Sequence, residues 1–141
     1  MSDRRILVVA HWTAASSKLL AAVVEWVARG PCSFTLLVPR PYWDPDTEEA
    51  ASTLELAIPL LDTAAGSHVH GIVGATDPYE AVRQTLEREK YDEVIISTLP
   101  ERVSRWLHLD LAHRIERFGV PVSVVTADQA ERTLLPGTGS I

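Results

Sequence analysis

The sequence predicts an α/β fold in which an open, doubly wound parallel sheet of five strands, Rossmann-like in arrangement, alternates with four helices. Two observations carry this prediction. Short continuous apolar runs, typical of strands buried on both faces, recur along the chain. Between them lie longer segments with apolar residues at three- and four-residue spacing, the pattern of amphipathic helices. Each strand–helix–strand unit returns the chain in the same direction, so the strands are expected to lie parallel.

The strands are predicted from these apolar runs and from the residues that stop them. Residues 5–10 form the first strand, which ends at the His-Trp-Thr sequence beginning at His11. Residues 33–38 form the second, because Pro39 and Pro41 lack the N–H that a sheet ladder requires. The remaining predicted strands are residues 69–73, 93–97 and 120–126.

The first two helices differ in regularity. Residues 14–29 repeat apolar positions on one helix face, and Gly30 with the following proline supplies a stop signal. Residues 47–65 form the second helix after a loop that runs through residue 46. Pro59 lies inside this segment and is expected to kink or divide it, because it removes one backbone hydrogen bond.

The third and fourth helices have clear ends. Asp77 is a helix cap, Pro78 suits the first turn, and Glu80 is an acidic residue three positions after the cap. This helix is predicted to run to about residue 90. The fourth helix covers residues 104–118 and ends at Gly119.

Length and composition place these elements in one domain. The chain has 141 residues, 46% hydrophobic and 23% charged, close to the averages of globular proteins, so we expect a single core in residues 1–130. Residues 131–141 show no periodicity and contain the sequence Pro-Gly-Thr-Gly-Ser. A flexible tail is expected there.

Charge and hydropathy argue against several partners. A net charge of -6 opposes long-range attraction to nucleic acid or anionic lipid. No apolar run approaches the roughly 20 residues that a membrane-spanning helix needs, and the N-terminus does not resemble a secretory signal. The single thiol, Cys32, suits a reducing compartment, so the expected location is the cytoplasm.

Three local features, in this order and spacing, resemble the universal stress protein family over residues 4–127. They are the strand sequence Ile-Leu-Val-Val from Ile6, the helix start Asp-Pro-Tyr-Glu-Ala-Val from Asp77, and the two strand sequences Tyr-Asp-Glu-Val-Ile-Ile-Ser from Tyr91 and Val-Pro-Val-Ser-Val-Val from Val120. The resemblance implies the strand order 3-2-1-4-5 and a role in the stress response. It also implies a homodimer formed through the fifth strand, with Val120, Val122 and Val124 at the dimer edge, and in many members it implies ATP binding.

Family members that bind ATP carry the motif G-x2-G-x9-G-[ST] at the end of the fourth strand, where glycines let backbone amides approach the phosphates. Counting without gaps puts at its four positions Ser97, Pro100, Asp110 and Leu111. No glycine occurs between Gly74 and Gly119. The motif is therefore absent, and the nucleotide-binding site is expected to be degenerate.

Each replacement has a physical consequence for a polyphosphate. Pro100 removes an amide donor, and the Asp110 carboxylate would repel a phosphate by about 1 kcal/mol at about 4 Å even in a high dielectric. His11 stands where the family has an acidic residue that contacts the adenosine. The resemblance thus implies the fold, whereas no cofactor is expected and ATP is disfavoured.

Candidate ligand-binding residues lie where the first and fourth strands end, since open parallel sheets bind ligands at the carboxyl ends of strands where the strand order reverses. They are His11, Trp12, Thr13, Ser97, Thr98, Arg102 and Arg105. Arg102 and Arg105 would share a helix face if the helix begins that early, and together they could hold a small anion. Alternatively, they pair with nearby carboxylates on a solvated face. Thr13 or Ser16 could simply cap the first helix.

Catalytic and metal-binding patterns are weak. His68 and His70 share a strand face, but no third ligand stands near them in the sequence, so no metal site is expected. The chain contains no nucleophile elbow, Walker lysine motif or histidine-glutamate zinc motif. We therefore expect no enzyme.

Three functions remain open at this stage. The first is a non-catalytic, dimeric regulatory or interaction protein that has lost ATP binding and has an unidentified protein partner. The second is a sensor of a small molecule or nucleotide that uses Arg102 and Arg105 in place of the glycine motif. The third is an enzyme acting on nucleotides, for which His11 is the one candidate general base.

Overall fold

The computed structural model describes residues 3–41, 48–100 and 104–127. The strands are β1 (Arg4–Val9), β2 (Cys32–Pro39), β3 (His70–Gly74), β4 (Glu93–Thr98) and β5 (Val122–Thr126). The helices are α1 (Ser17–Arg29), α2 (Glu48–Ala65), α3 (Pro78–Arg88), α4 (Arg105–His108) and α5 (Leu111–Glu116). All strands are parallel and lie in the order β3-β2-β1-β4-β5, which confirms the predicted fold class and strand order.

The core lies on both faces of this sheet. Along β1, Ile6 and Val8 pack on the face covered by α1 and α2, whereas Leu7 and Val9 pack on the face covered by α3 and α5. All four side chains are at most 1% exposed. A strand buried on both faces has no polar alternation, which is why residues 5–10 appear in the sequence as one continuous apolar run.

Helix caps set where the helices begin. The Ser16 hydroxyl accepts a hydrogen bond from the Leu19 amide at 3.2 Å, so α1 begins at Ser17 rather than at residue 14. Asp77 accepts from the Tyr79 amide at 3.2 Å and starts α3, as predicted. Ser16, and not Thr13, is therefore the cap of α1.

The predicted fourth helix is in fact two. A break at Leu109 and Asp110 separates α4 from α5, and Asp110 has φ 56°, in the left-handed region. α4 buries none of its residues, whereas α5 buries Leu111 and Ile115, four residues apart, against the sheet. The apolar spacing of one continuous helix does not reveal this break, so the chain has five helices in the described ranges instead of the four expected.

Two other boundaries differ from the sequence expectation. α2 is continuous across Pro59, which is exposed and does not divide the helix. β5 begins at Val122, two residues later than predicted, and Val120 precedes it. In the described part of the chain, no helix has the length and apolar character needed to cross a membrane. The loop at residues 42–47 and the tail at 131–141 lie outside the described residues.

Candidate ligand-binding site

A cavity of about 340 Å³ opens at the carboxyl ends of β1, β2 and β4. The chain runs outward from β1 to β2 and β3, and then returns to the other side of β1 with β4 and β5. The strand order therefore reverses between β1 and β4, and the crevice at such a reversal is where open α/β sheets bind ligands. The cavity lies at the position that the sequence predicted.

Six of the seven predicted ligand-binding residues line this cavity. They are His11, Trp12, Thr13, Ser97, Thr98 and Arg105. The seventh, Arg102, lies outside the described residues. α4 begins at Arg105 with Ser104 as its N-cap, so this helix does not include position 102. The proposed sharing of a helix face by the two arginines therefore does not follow from α4.

Two buried hydroxyls connect β1 to β4 at the back of the cavity. Thr13 Oγ1 and Ser97 Oγ lie 2.7 Å apart, and the Ser97 hydroxyl donates to the Thr13 carbonyl oxygen at 3.3 Å. The two residues are 2% and 1% exposed. Ser97 aligns with the first glycine of the ATP motif, so a hydrogen-bonded side chain occupies a place where glycine would leave the backbone bare.

A second hydroxyl pair connects the end of β4 to the N-cap of α4. Thr98 Oγ1 hydrogen-bonds Ser104 Oγ, and Ser104 Oγ also accepts from the Leu107 amide at 3.2 Å as the cap of α4. Ser104 thus joins the end of β4 to the first turn of α4. This arrangement places Arg105, the first residue of α4, on the cavity wall.

Arg40 is a site residue that the sequence analysis missed. Its backbone N–H and its Nε both donate to the Gly74 carbonyl oxygen, at 3.3 and 3.1 Å, and its side chain lines the cavity. The prolines on either side of Arg40 predict only the end of β2. Its position directly after a strand's carboxyl end was the available signal. Thr76 was also missed as a lining residue.

His11 is held against α2. Its side chain is 11% exposed, and its Nε2 lies 3.9 Å from Glu49 Oε1. Its ring meets Trp12 edge-on, with 6.0 Å between centroids. Burial lowers the pKa of His11, and the Glu49 carboxylate partly opposes that effect. The imidazole is therefore neutral in most molecules at pH 7.

Asp110 does not line this cavity. It is exposed at the turn between α4 and α5. The structure therefore does not support the expected repulsion between its carboxylate and a phosphate held in the cavity.

The predicted dimer edge lies only partly on the surface. β5 is the last strand of the sheet, and Val124 is 42% exposed. Val120 and Val122 instead pack against the core face under α3 and α5. The edge strand predicted from the sequence is therefore present, but two of its three valines already contribute to the chain's own core.

The two histidines considered for metal binding lie side by side near β3. The rings of His68 and His70 are 5.2 Å apart between centroids, and His68 Nδ1 is 3.6 Å from Asp62 Oδ2. Within residues 3–41, 48–100 and 104–127, no three His, Cys, Asp or Glu side chains are grouped so that they could hold a metal ion.

Solved structures of known proteins share this architecture. A universal stress protein from Archaeoglobus fulgidus superposes with a TM-score of 0.60 at 15% sequence identity, over 86% of this chain and 93% of that one. A universal stress protein in complex with cAMP superposes with a TM-score of 0.61 at 17% identity, over 90% of this chain and 100% of that one. The chain has the universal stress protein fold. No family model matches the sequence, and no curated protein matches it.

Proposed function

We propose that the chain is a non-catalytic regulatory domain with the universal stress protein fold, which binds a compact ligand in its switch-point cavity and has lost ATP binding. The observation that carries this proposal is the buried bond between Thr13 and Ser97 across the cavity's inner end. A triphosphate cradle requires bare backbone amides. Ser97, which the ungapped count puts at the first glycine of the motif, instead carries a side chain that is hydrogen-bonded to Thr13.

The cavity walls indicate the class of ligand. Trp12 and Trp106 supply aromatic surface, while Arg40 and Arg105 supply guanidinium groups. A volume of about 340 Å³ is near the lower end of the range for small-molecule sites. One structural neighbour is in complex with cAMP, a planar base with a single phosphodiester. We infer a nucleotide or similar compound with one ring system and one phosphate group.

Calorimetric titration tests both parts of the proposal. We expect saturable binding of cAMP or AMP and no binding of ATP with magnesium. Arg105→Gln should weaken binding by about tenfold, corresponding to about 1.4 kcal/mol. Arg117→Gln, an exposed arginine beyond α5, is the control and should bind as the wild type does.

Each part of the proposed function has a result that would contradict it. Binding of magnesium ATP at least as tight as that of AMP would show that ATP binding is retained. Absence of binding by all three nucleotides would refute the nucleotide sensor. Hydrolysis of any bound nucleotide at a rate reduced by His11→Gln would favour the enzyme, since His11 is the general-base candidate.

A second function, homodimerisation, is favoured by the position of β5, which is the last strand of the sheet in the part of the chain that the structure describes. A terminal strand presents unpaired backbone groups that can pair with another strand. Val124 of β5 is 42% exposed, and Phe118, which precedes this strand in the sequence, is 41% exposed. We expect light scattering after size exclusion to give the mass of a dimer and Val124→Lys to give a monomer. A wild-type monomer at tens of micromolar would refute dimerisation.

We also propose a cytoplasmic location, because the single thiol, Cys32, suits a reducing compartment.

A further inference from the structure

A second pocket, of about 240 Å³, lies at the opposite end of the sheet, where β1 and β2 begin. Arg4 opens β1 and pairs in register with Cys32, the first residue of β2. Trp26 and Arg29 reach the pocket from the end of α1. Residues 30–31 connect the helix to β2 and complete the wall. The function proposed above does not use this pocket.

Two guanidinium groups share one indole ring here. Arg29 Cζ lies 4.7 Å from the Trp26 ring centroid, and Arg4 Cζ lies 5.5 Å from it. Such cation–π contacts stabilise both cations beside the same ring. Neither guanidinium forms an ion pair with a carboxylate anywhere in residues 3–41, 48–100 and 104–127. In a chain of net charge -6, two cations that line one pocket without a carboxylate ion pair leave a local excess of positive charge there.

The other polar groups of the pocket do not supply the missing negative charge. The Cys32 thiol donates weakly to the carbonyl oxygens of Trp26 and Gly30, at 3.5 and 3.4 Å. Burial raises the pKa of Cys32, which keeps the thiol neutral. Arg4 acts in the opposite direction on this pKa, and Asp3, an exposed neighbour, raises it further. Asp3 does not pair with either guanidinium within the described residues.

The carbonyl groups beside the pocket are likewise already occupied. The Trp26 and Gly30 oxygens face the thiol, and the Pro31 oxygen accepts from the Arg4 amide at 3.0 Å. The pocket therefore offers hydrogen-bond donors and positive charge. Its chemical complement is an oxyanion, because the planar fork of arginine matches phosphate and carboxylate oxygens with two bonds at once.

We propose that Arg4 and Arg29, held on Trp26, form a binding site for the phosphate group of a small molecule. A phosphate dianion balances the two guanidinium charges, whereas a single carboxylate would balance only one. Inorganic phosphate and the phosphate of an organic ester share this chemistry. Phenyl phosphate distinguishes them, since its ring adds apolar contact that inorganic phosphate lacks.

The test follows the four indole N–H signals of the full chain by NMR, with Trp26→Phe identifying the Trp26 signal. Potassium phosphate, titrated against potassium chloride at equal ionic strength, should shift the Trp26 signal along a saturable curve. Tighter binding of phenyl phosphate would identify an organic ester as the ligand, and equal or weaker binding would identify inorganic phosphate. The Trp12 and Trp106 signals report separately on the switch-point cavity, so failure at one site is distinguishable from failure at the other.

Arginine variants decide whether the shift is specific. Arg4→Gln with Arg29→Gln should abolish saturation, and Arg29→Gln alone should weaken it at least severalfold. Arg88→Gln is the matched control, because Arg88 is exposed in the last turn of α3 as Arg29 is in the last turn of α1. A non-saturating shift, or the same curve in the wild type and the double variant, would overturn the proposal.

Discussion

Thr13 Oγ1 lies 2.7 Å from Ser97 Oγ, and this buried contact joins the loop after β1 to the end of β4. These two strands flank the point where the strand order reverses, so the contact crosses the floor of the candidate ligand-binding cavity. Both hydroxyls are satisfied within the protein. If the proposed ligand binds, we expect its polar contacts to come from other lining residues, such as Arg40 and Arg105.

The Thr13–Ser97 contact should contribute to stability in a way that a double-mutant cycle can measure. Ser97→Ala leaves the buried Thr13 hydroxyl without its side-chain partner, and Thr13→Val leaves the Ser97 hydroxyl only its longer bond to the backbone carbonyl of residue 13. Each should lower the free energy of unfolding by about 1–3 kcal/mol, with the larger loss for Ser97→Ala. The double variant should lose less than the sum, with a coupling energy of about 1 kcal/mol in urea denaturation. Ser67→Ala, at an exposed position, should change stability by less than about 0.5 kcal/mol. Simple additivity would show that the hydroxyls do not interact.

The burial of His11 should make stability depend on pH. Its pKa in the folded chain is lower than the ordinary 6.5. Burial is the main cause, and the Glu49 carboxylate acts in the opposite direction. Well above pH 6.5 the imidazole is neutral in both the folded and the unfolded chain. Below it, the unfolded chain takes up a proton before the folded chain does, so stability falls as the pH decreases. Chemical denaturation between pH 7.5 and about 5 should show this fall in the wild type.

Two variants isolate the contribution of His11. His11→Gln should flatten the curve over this pH range, whereas His113→Gln, at an exposed position in α5, should leave its slope unchanged. Glu49→Gln removes the opposing carboxylate and should steepen the fall. If His11→Gln and the wild type keep parallel curves, His11 does not carry the pH dependence.

The fold was predictable because the strongest signals in the sequence are local and repeated. Uninterrupted apolar runs identify strands covered on both faces, and Asp77 with Pro78 identifies the start of α3. The cavity residues at the ends of β1 and β4 were predictable, because open parallel sheets bind ligands at the carboxyl ends of strands where the strand order reverses. The position of Arg40 at the cavity was not predicted, because it depends on the pairing of β2 with β3, which brings Arg40 to the Gly74 carbonyl oxygen.

The helix break at Asp110 escaped prediction for a different reason. An aspartate in a helical pattern carries no sign of a left-handed conformation, which short polar residues adopt without a glycine. The alignment put a family glycine at this position, and the structure gives it φ 56°. The backbone geometry for which glycine is suited is therefore present at Asp110 without the glycine.

Substitutions at Asp110 should show the reverse of the usual helix preference. At φ 56° an alanine Cβ is strained, so Asp110→Gly should be more stable than Asp110→Ala by about 1 kcal/mol in thermal denaturation. At His113, inside α5, the order should be the ordinary one, with alanine more stable than glycine by about 0.5–1 kcal/mol. An alanine variant at position 110 as stable as the glycine variant would contradict the left-handed assignment.

Gly74 links the packing of β3 to the position of Arg40. An added Cβ there would lie 2.7 Å from Ala81 Cβ and 2.8 Å from Leu37 Cδ1. The Ala81 Cβ is fixed to the backbone of α3 and has no rotamer by which to move away. Gly74→Ala should therefore push α3 from the sheet and cost about 1–3 kcal/mol in urea denaturation.

Gly71→Ala in the same strand is the matched control for this substitution. Its Cβ would meet Leu54 Cδ2 at 2.9 Å, but that atom is the far end of a flexible side chain and can turn away. The loss should be below about 1 kcal/mol. Because the Gly74 carbonyl oxygen also accepts both hydrogen bonds from Arg40, Gly74→Ala should additionally weaken AMP binding, whereas Gly71→Ala should not. Equal losses of stability in the two variants would mean that the short contact with Ala81 does not constrain α3.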